Sequence, residues 1–140
     1  MKKTPLKRKS RTVEAKLRDR LWELAKLIIR KRYGNTCYTC GRTKLEGSNW
    51  HTGHFIPDAV GGAFLRYNLQ NLRPQCYNCN INLGGNGGEF YRRLVEEEGQ
   101  LYVDNLFQLK NTMIIKADKM WLDGMINLYT GMLEHEKPKD

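Results

Sequence analysis

All four cysteines of this chain fall into two pairs, Cys37-Tyr-Thr-Cys40 and Cys76-Tyr-Asn-Cys79, with residues 41 to 75 between them. Two thiolates spaced by two residues can grip one metal ion from a single turn, and two such knuckles complete the closed tetrahedral set of a structural zinc site. The gap is longer than in a simple zinc ribbon, so something must fold between the knuckles. Inside it lie Trp50-His-Thr-Gly-His54-Phe-Ile-Pro57 and Asn71-Leu-Arg-Pro-Gln-Cys76, followed at once by Asn80. A histidine, an asparagine, and a second asparagine just past the last cysteine suggest a metal-dependent nuclease centre.

Bulk properties bound the partners. With 140 residues the chain is one modest domain with room for a real core. No apolar run is long enough to span a membrane, and the start, Met1 to Lys9, lacks the apolar segment of a signal peptide. The expectation is a soluble, cytoplasmic protein, where a reducing medium makes paired cysteines metal ligands rather than disulfides. The charge is uneven: residues 1 to 32 carry 13 of the 24 Lys and Arg but only 3 of the 15 Asp and Glu. A polyanion is the natural partner for that segment, through phosphate contacts that weaken with salt. Taken alone, such a run reads as a solvated tail and polar helix face rather than as a binding site. Beside a phosphodiesterase site it reads as a DNA contact, with Lys7, Arg8, Lys9 and Arg11 the first candidates.

Residues 1 to 11 mix Lys, Arg, Pro and Ser without periodicity and are expected to be a disordered basic arm. Thr12 can cap a helix in which Val13, Leu17, Leu21, Leu24 and Ile28 recur at helical spacing, with Lys16, Arg20, Lys26 and Arg30 largely on other faces and Gly34 as the stop. The zinc core then spans 35 to 88: a first knuckle, a strand over 48 to 57 carrying His51 and His54, a loop forced by Gly61-Gly62, an approach over 69 to 74, and a short helix carrying Asn80. The run Gly84-Gly-Asn-Gly-Gly88 suits a hinge, a flexible linker or a close approach to phosphate. Helices are expected over 89 to 98 and over 111 to 134, the latter packing on the first helix or forming a dimer interface. The fold class is α+β: a zinc-stabilised core flanked by N- and C-terminal helices, within a single domain from 12 to 140.

In combination, Cys-x-x-Cys-Gly, Trp-x-x-Gly-His and Asn-Leu-x-Pro-x-Cys-x-x-Cys-Asn resemble the NinG/Rap recombination nucleases of lambdoid phages, within the HNH, or ββα-metal, endonuclease superfamily. The resemblance covers Cys37 to about Gly99. It implies that His54 deprotonates the attacking water, that Asn71 buttresses the loop and orients the histidine, and that Asn80 ligates a catalytic divalent ion. That division makes chemical sense: a hard cation neutralises charge developing on the phosphate, and a neutral imidazole accepts a proton near pH 7. Mg²⁺ or Mn²⁺ is the implied catalytic ion, beside a structural Zn²⁺.

The sequence departs from the superfamily pattern twice. Gly53 stands where an Asp or His ligand often precedes the base, and His51, which shares a strand face with position 53, is the nearest replacement, with Asp58 and Glu89 as other donors. Leu83 stands where relatives often carry a basic residue that holds phosphate; Arg66, Arg73, Arg92 and Arg93 are the substitutes the sequence offers. The resemblance further implies phage-encoded recombination, in the host cytoplasm, with cleavage of branched DNA such as Holliday junctions or D-loops. Host or phage recombination proteins and a second copy of the chain are the other expected partners, since symmetric cutting of a four-way junction needs two active sites. The competing reading is a non-catalytic, zinc-dependent DNA-binding accessory protein of recombination.

Overall fold

The computed structural model describes residues 2–6 and 10–139. Of the expected DNA-contacting arm, Lys7, Arg8 and Lys9 lie outside the described residues. Helix α1 (Val13–Tyr33) begins where the Thr12 hydroxyl accepts a hydrogen bond from the Ala15 N–H, and ends where Gly34, at φ 73°, turns its N–H back onto the Arg30 carbonyl. Both are end conditions that a helix needs for its orphan backbone groups, and a non-glycine residue would be strained at Gly34. Leu21, Leu24, Ala25, Ile28 and Ile29 form its buried stripe.

That stripe packs against the last helix, α5 (Lys119–His135), through Leu122 and Tyr129. Tyr67, Leu69 and Leu72, from the region between the two cysteine pairs, complete the same core. Arg32 grips Glu136 with two hydrogen bonds of 2.7 and 3.1 Å, and the Tyr129 hydroxyl donates to the Tyr67 carbonyl at 2.5 Å. The C-terminal helix therefore clamps the region between the cysteine pairs onto α1.

That region contains a two-stranded antiparallel sheet. Strand β1 (His51–His54) pairs with β2 (Leu72–Gln75), setting His51 opposite Gln75 and Gly53 opposite Arg73. β1 is shorter than expected, because Gly47–Asn49 forms a single tight turn before it. The glycines at 61 and 62 do not make an open loop either. They lie inside helix α2 (Asp58–Tyr67), which breaks at Gly62 (φ 72°) and resumes. After β2, a π-helical turn (Asn78–Asn82) carries Asn80.

Helix α3 (Gly87–Glu98) closes at Gly99 as expected, but the C-terminal part is divided differently from the expected single helix over 111 to 134. Helix α4 (Gln100–Thr112) follows immediately, and α5 starts only at Lys119, capped by the Asp118 carboxylate accepting from Trp121 N–H. α3 and α4 bury Phe90, Leu94, Val103 and Leu106 against Tyr38, Phe55, Ile56 and Leu65, a second core beneath the sheet. No helix among the described residues is long and apolar enough to cross a membrane.

Candidate metal centres and active site

The two knuckles converge. The four cysteine sulfurs all lie within 4.8 Å of one another, and Cys40 Sγ is 3.7 Å from Cys76 Sγ. A tetrahedron with Zn–S bonds of about 2.3 Å has S···S edges of about 3.8 Å, so the spacing and the all-sulfur donor set fit Zn²⁺. Protonation points the same way. Burial pushes Cys40 up to about 12, and it raises Cys76 too. At Cys37 burial also acts upward, but hydrogen bonds from the Cys76 backbone and the Thr39 hydroxyl outweigh it and hold the thiol at about 6. Burial thus works against thiolates at Cys40 and Cys76, and a bound dication would supply the charge that holds them deprotonated. Leu45 and Trp50 pack against the cluster and shield it.

Asn71 is completely buried, in the tight turn just before β2. Its Oδ1 accepts from the Ile56 N–H at 2.7 Å, and its Nδ2 donates to the Ile56 and Leu65 carbonyls at 3.0 and 3.1 Å. Its own carbonyl accepts from the Phe55 N–H at 2.9 Å. One side chain thus staples both ends of the segment that leaves His54 and returns through α2.

That segment orients His54. The ring Nε2 lies 2.9 Å from the Arg66 carbonyl, one residue past the Leu65 carbonyl held by Asn71. A carbonyl only accepts, so Nε2 carries the hydrogen and Nδ1 keeps a free lone pair. Trp22 of α1 stacks on the imidazole, centroids 5.2 Å apart and planes 10° from parallel. Burial lowers the His54 pKa below the ordinary histidine value, against the opposing pull of the Arg66 carbonyl and Asp58, so the ring is neutral at pH 7.

His51 is held by the same device. Its Nε2 donates to the Ser48 carbonyl at 2.8 Å, and Asn80 Nδ2 lies 3.0 Å from its Nδ1. With Nε2 carrying the hydrogen, Nδ1 accepts from the Asn80 amide N–H; an ion seated here would displace that hydrogen bond and take the imidazole nitrogen and the carboxamide oxygen of the turned amide. Together they line a cavity of about 360 Å³ with Lys26, Arg30, Trp50 and Thr52. His54 lines the neighbouring cavity with Arg18, Asp19, Asp58 and Arg66, and Trp22 borders both. The structure thus brings His51 and Asn80 together and sets His54 next door.

Gly53 has a local cause. A Cβ there would sit 1.8 Å from Gln75 Oε1. Gln75 is fully buried, donating from Nε2 to Thr39 Oγ1 at 3.0 Å and to the Gly85 carbonyl at 2.9 Å. Its carboxamide fills the space that a side chain at 53 would need.

Several candidate residues are placed elsewhere. Arg73, expected to touch DNA, is fully buried in an aromatic cage of Tyr33, Tyr38 and Tyr102, with Glu98 3.4 Å away. Desolvating a guanidinium is costly, and the ring faces, the ion pair and the Leu72 carbonyl at 2.8 Å compensate it here. Arg66 and Arg11 remain at the surface, paired with Asp58 and Asp19 respectively. Glu89 is held by Arg92, and Arg93 lies over the Tyr38 ring. Among the described residues no carboxylate lines the His51–Asn80 cavity, and neither Asp58 nor Glu89 takes the place of the ligand missing at 53.

The contribution of α1 was the part least evident from the sequence. Arg18, Trp22, Lys26 and Arg30 recur every four residues, are all half-buried, and form the wall of both cavities. Their i, i+4 recurrence was the available signal.

The family described as "Bacteriophage Lambda NinG protein" matches residues 1–134. The chain belongs to the NinG family. A curated relative, "Protein ninG" of Escherichia phage lambda, is 33% identical over 70 residues, a stretch that covers 50% of this NinG-family chain and 33% of the relative. The match thus spans about a third of that relative's length. No solved structure matches.

Proposed function

We propose that this NinG-family chain is a metal-dependent DNA endonuclease of the HNH type, acting on branched DNA in phage recombination. The observation that carries the reading is the pair of histidines pinned alike. His54 and His51 each spend Nε2 on a backbone carbonyl, so Nδ1 is the working nitrogen of both: in His54 to accept a proton, in His51 to exchange the Asn80 amide N–H it now accepts for a cation. A zinc-stapled module that only binds DNA has no use for that arrangement.

The roles follow from the geometry. His54, neutral and held by the Arg66 carbonyl, takes the proton of the attacking water at Nδ1. Asn71 keeps that carbonyl in place and touches no substrate. Asn80 and His51 would hold the divalent ion, which when bound polarises the phosphate and stabilises the leaving oxygen. One nitrogen and one oxygen donor without a carboxylate suit a borderline ion such as Mn²⁺ better than Mg²⁺. Cys37, Cys40, Cys76 and Cys79 would hold Zn²⁺ and join the two ends of the segment that bears His51, His54 and Asn71, with Asn80 next to the last of them.

The test compares wild type with His54→Ala on labelled four-way junction, flap and linear duplex DNA, with Mn²⁺, Mg²⁺ or EDTA, at matched zinc content. Metal-dependent cutting that vanishes in the variant while binding persists is the expected result. Binding without cutting under every metal overturns the nuclease in favour of a DNA-binding accessory protein.

A further inference from the structure

Three buried polar atoms without hydrogen-bond partners belong to residues lining one cavity: Arg30 Nε, Trp50 Nε1 and Thr52 Oγ1. A buried donor without a partner is rare in a folded protein and calls for a ligand. Arg30 Nε and Trp50 Nε1 can only donate, and a threonine hydroxyl can donate as well. Thr52 is only 7% exposed, so bulk water does not satisfy it. The remainder of the wall agrees. Lys26 and Arg30 bring two positive charges, Lys26 in an ion pair with Glu23 at 2.8 Å on the same helix, and among the described residues no acidic side chain lines the cavity, whereas the His54 cavity next to it contains Asp19 and Asp58. Arg30 is locked in place, its guanidinium 4.5 Å above the Trp50 ring and donating to the Trp50 carbonyl at 2.8 Å. Unpartnered donors sealed in the cavity wall, the guanidinium of Arg30 and an excess of positive charge describe a seat for an oxyanion that would press into that wall to reach them.

We infer that the cavity between α1 and β1 is a phosphate subsite, in which Lys26, Arg30, Trp50 and Thr52 hold one backbone phosphate of the DNA strand beside the His51–Asn80 pair. The inference rests on the nuclease reading for its position next to the cleavage centre, but on the unpartnered donors for its existence. It assigns α1 a task apart from the basic arm. The arm supplies charge, while Lys26 and Arg30 fix register.

The test is DNA binding with cleavage disabled by EDTA, read as fluorescence anisotropy of a labelled duplex and a labelled four-way junction over a salt series. Thr52→Val keeps the shape and removes only the hydroxyl. It should leave the thermal midpoint unchanged or higher, since an unsatisfied buried group is lost, yet weaken DNA binding about tenfold or more. Lys26→Gln should lower the slope of log affinity against log salt by about 0.9, the share of one phosphate contact. The control is Lys16→Gln, which removes the same charge from an exposed position on α1. If Thr52→Val binds like wild type, or Lys26→Gln and Lys16→Gln change the slope equally, the subsite is overturned, even where His54-dependent cutting has been established. If no DNA is ever cut but both variants behave as expected, the subsite stands and the nuclease reading alone falls.

Discussion

Replacing Asn71 with alanine should destabilise the protein and disorient His54 together. The substitution deletes one acceptor and one doubly engaged donor group, leaving the Ile56 N–H and the Ile56 and Leu65 carbonyls without the partners they have at 2.7, 3.0 and 3.1 Å. Asn71 is 0% exposed, so water does not replace those bonds without opening the second core. At about 1 kcal/mol for each lost bond the loss is about 3 kcal/mol, and more if the orphaned groups stay dry. For a chain of this size that corresponds to a thermal midpoint lower by about 10 °C. Urea unfolding of the zinc-loaded protein, followed by tryptophan fluorescence, gives the value directly. A second effect is separable. Because the Arg66 carbonyl sits one residue beyond the Leu65 carbonyl that Asn71 holds, cleavage measured well below the midpoint should fall further than the unfolded fraction explains. Asn71→Asp keeps the shape but turns an acceptor toward two carbonyls, and should be at least as damaging. A loss below about 1 kcal/mol for Asn71→Ala, or full cleavage by the folded variant, would refute the stapling argument.

The remaining predictions concern metals and protons. Chelating zinc, or replacing Cys40 with serine, should open residues 37 to 80 to proteolysis while α1 and α5 keep much of their helical circular dichroism; an unchanged cleavage map speaks against a structural metal. His51→Ala and Asn80→Ala should each raise the Mn²⁺ concentration for half-maximal cutting by at least about tenfold, with zinc content constant; an unchanged requirement removes both from the ion. The His54 pKa is lowered by burial, so the neutral base survives below the ordinary histidine pKa of about 6.5, and the acid limb of kcat/KM should have its midpoint below that value. The same shift makes the unfolded chain the better proton acceptor between the two pKa values. Stability should therefore fall as pH drops through about 6.5 and level off below the folded value, a dependence that His54→Gln removes.

How far the sequence discloses this architecture depends on where the physics is local. Helix α1 is legible from Thr12 to Gly34, because its cap, stripe and stop are all encoded within it. The cysteine pairs are legible for the same reason: ligand chemistry and spacing are carried by the chain itself. The burial of Arg73 is not, since three tyrosines from α1, the first knuckle and α4 make its cage, and nothing near residue 73 announces them. Glycines at 61 and 62 suggest a loop, yet Gly62 absorbs its positive φ as a kink while Gly61 packs within reach of Leu65 and Ile56. Helix α4 is hidden by its own exposure: Leu101 and Phe107 face outward, so apolar residues do not mark the buried face, which is Val103 and Leu106. At the candidate site, His54 and Asn80 are visible as motif residues, whereas Lys26 and Arg30 acquire their place only when α1 lies along β1.

The contact between Gly53 and Gln75 reaches beyond this one chain. Because the carboxamide of Gln75 occupies the volume a side chain at 53 would take, the two positions are not free to drift separately. A carboxylate could enter position 53 only in company with a smaller residue at 75, and the large residue at 75 obliges glycine at 53. Among NinG-family chains these two sites should change as a pair, and an engineer wishing to add a carboxylate ligand to this centre would have to redesign β2 before touching β1.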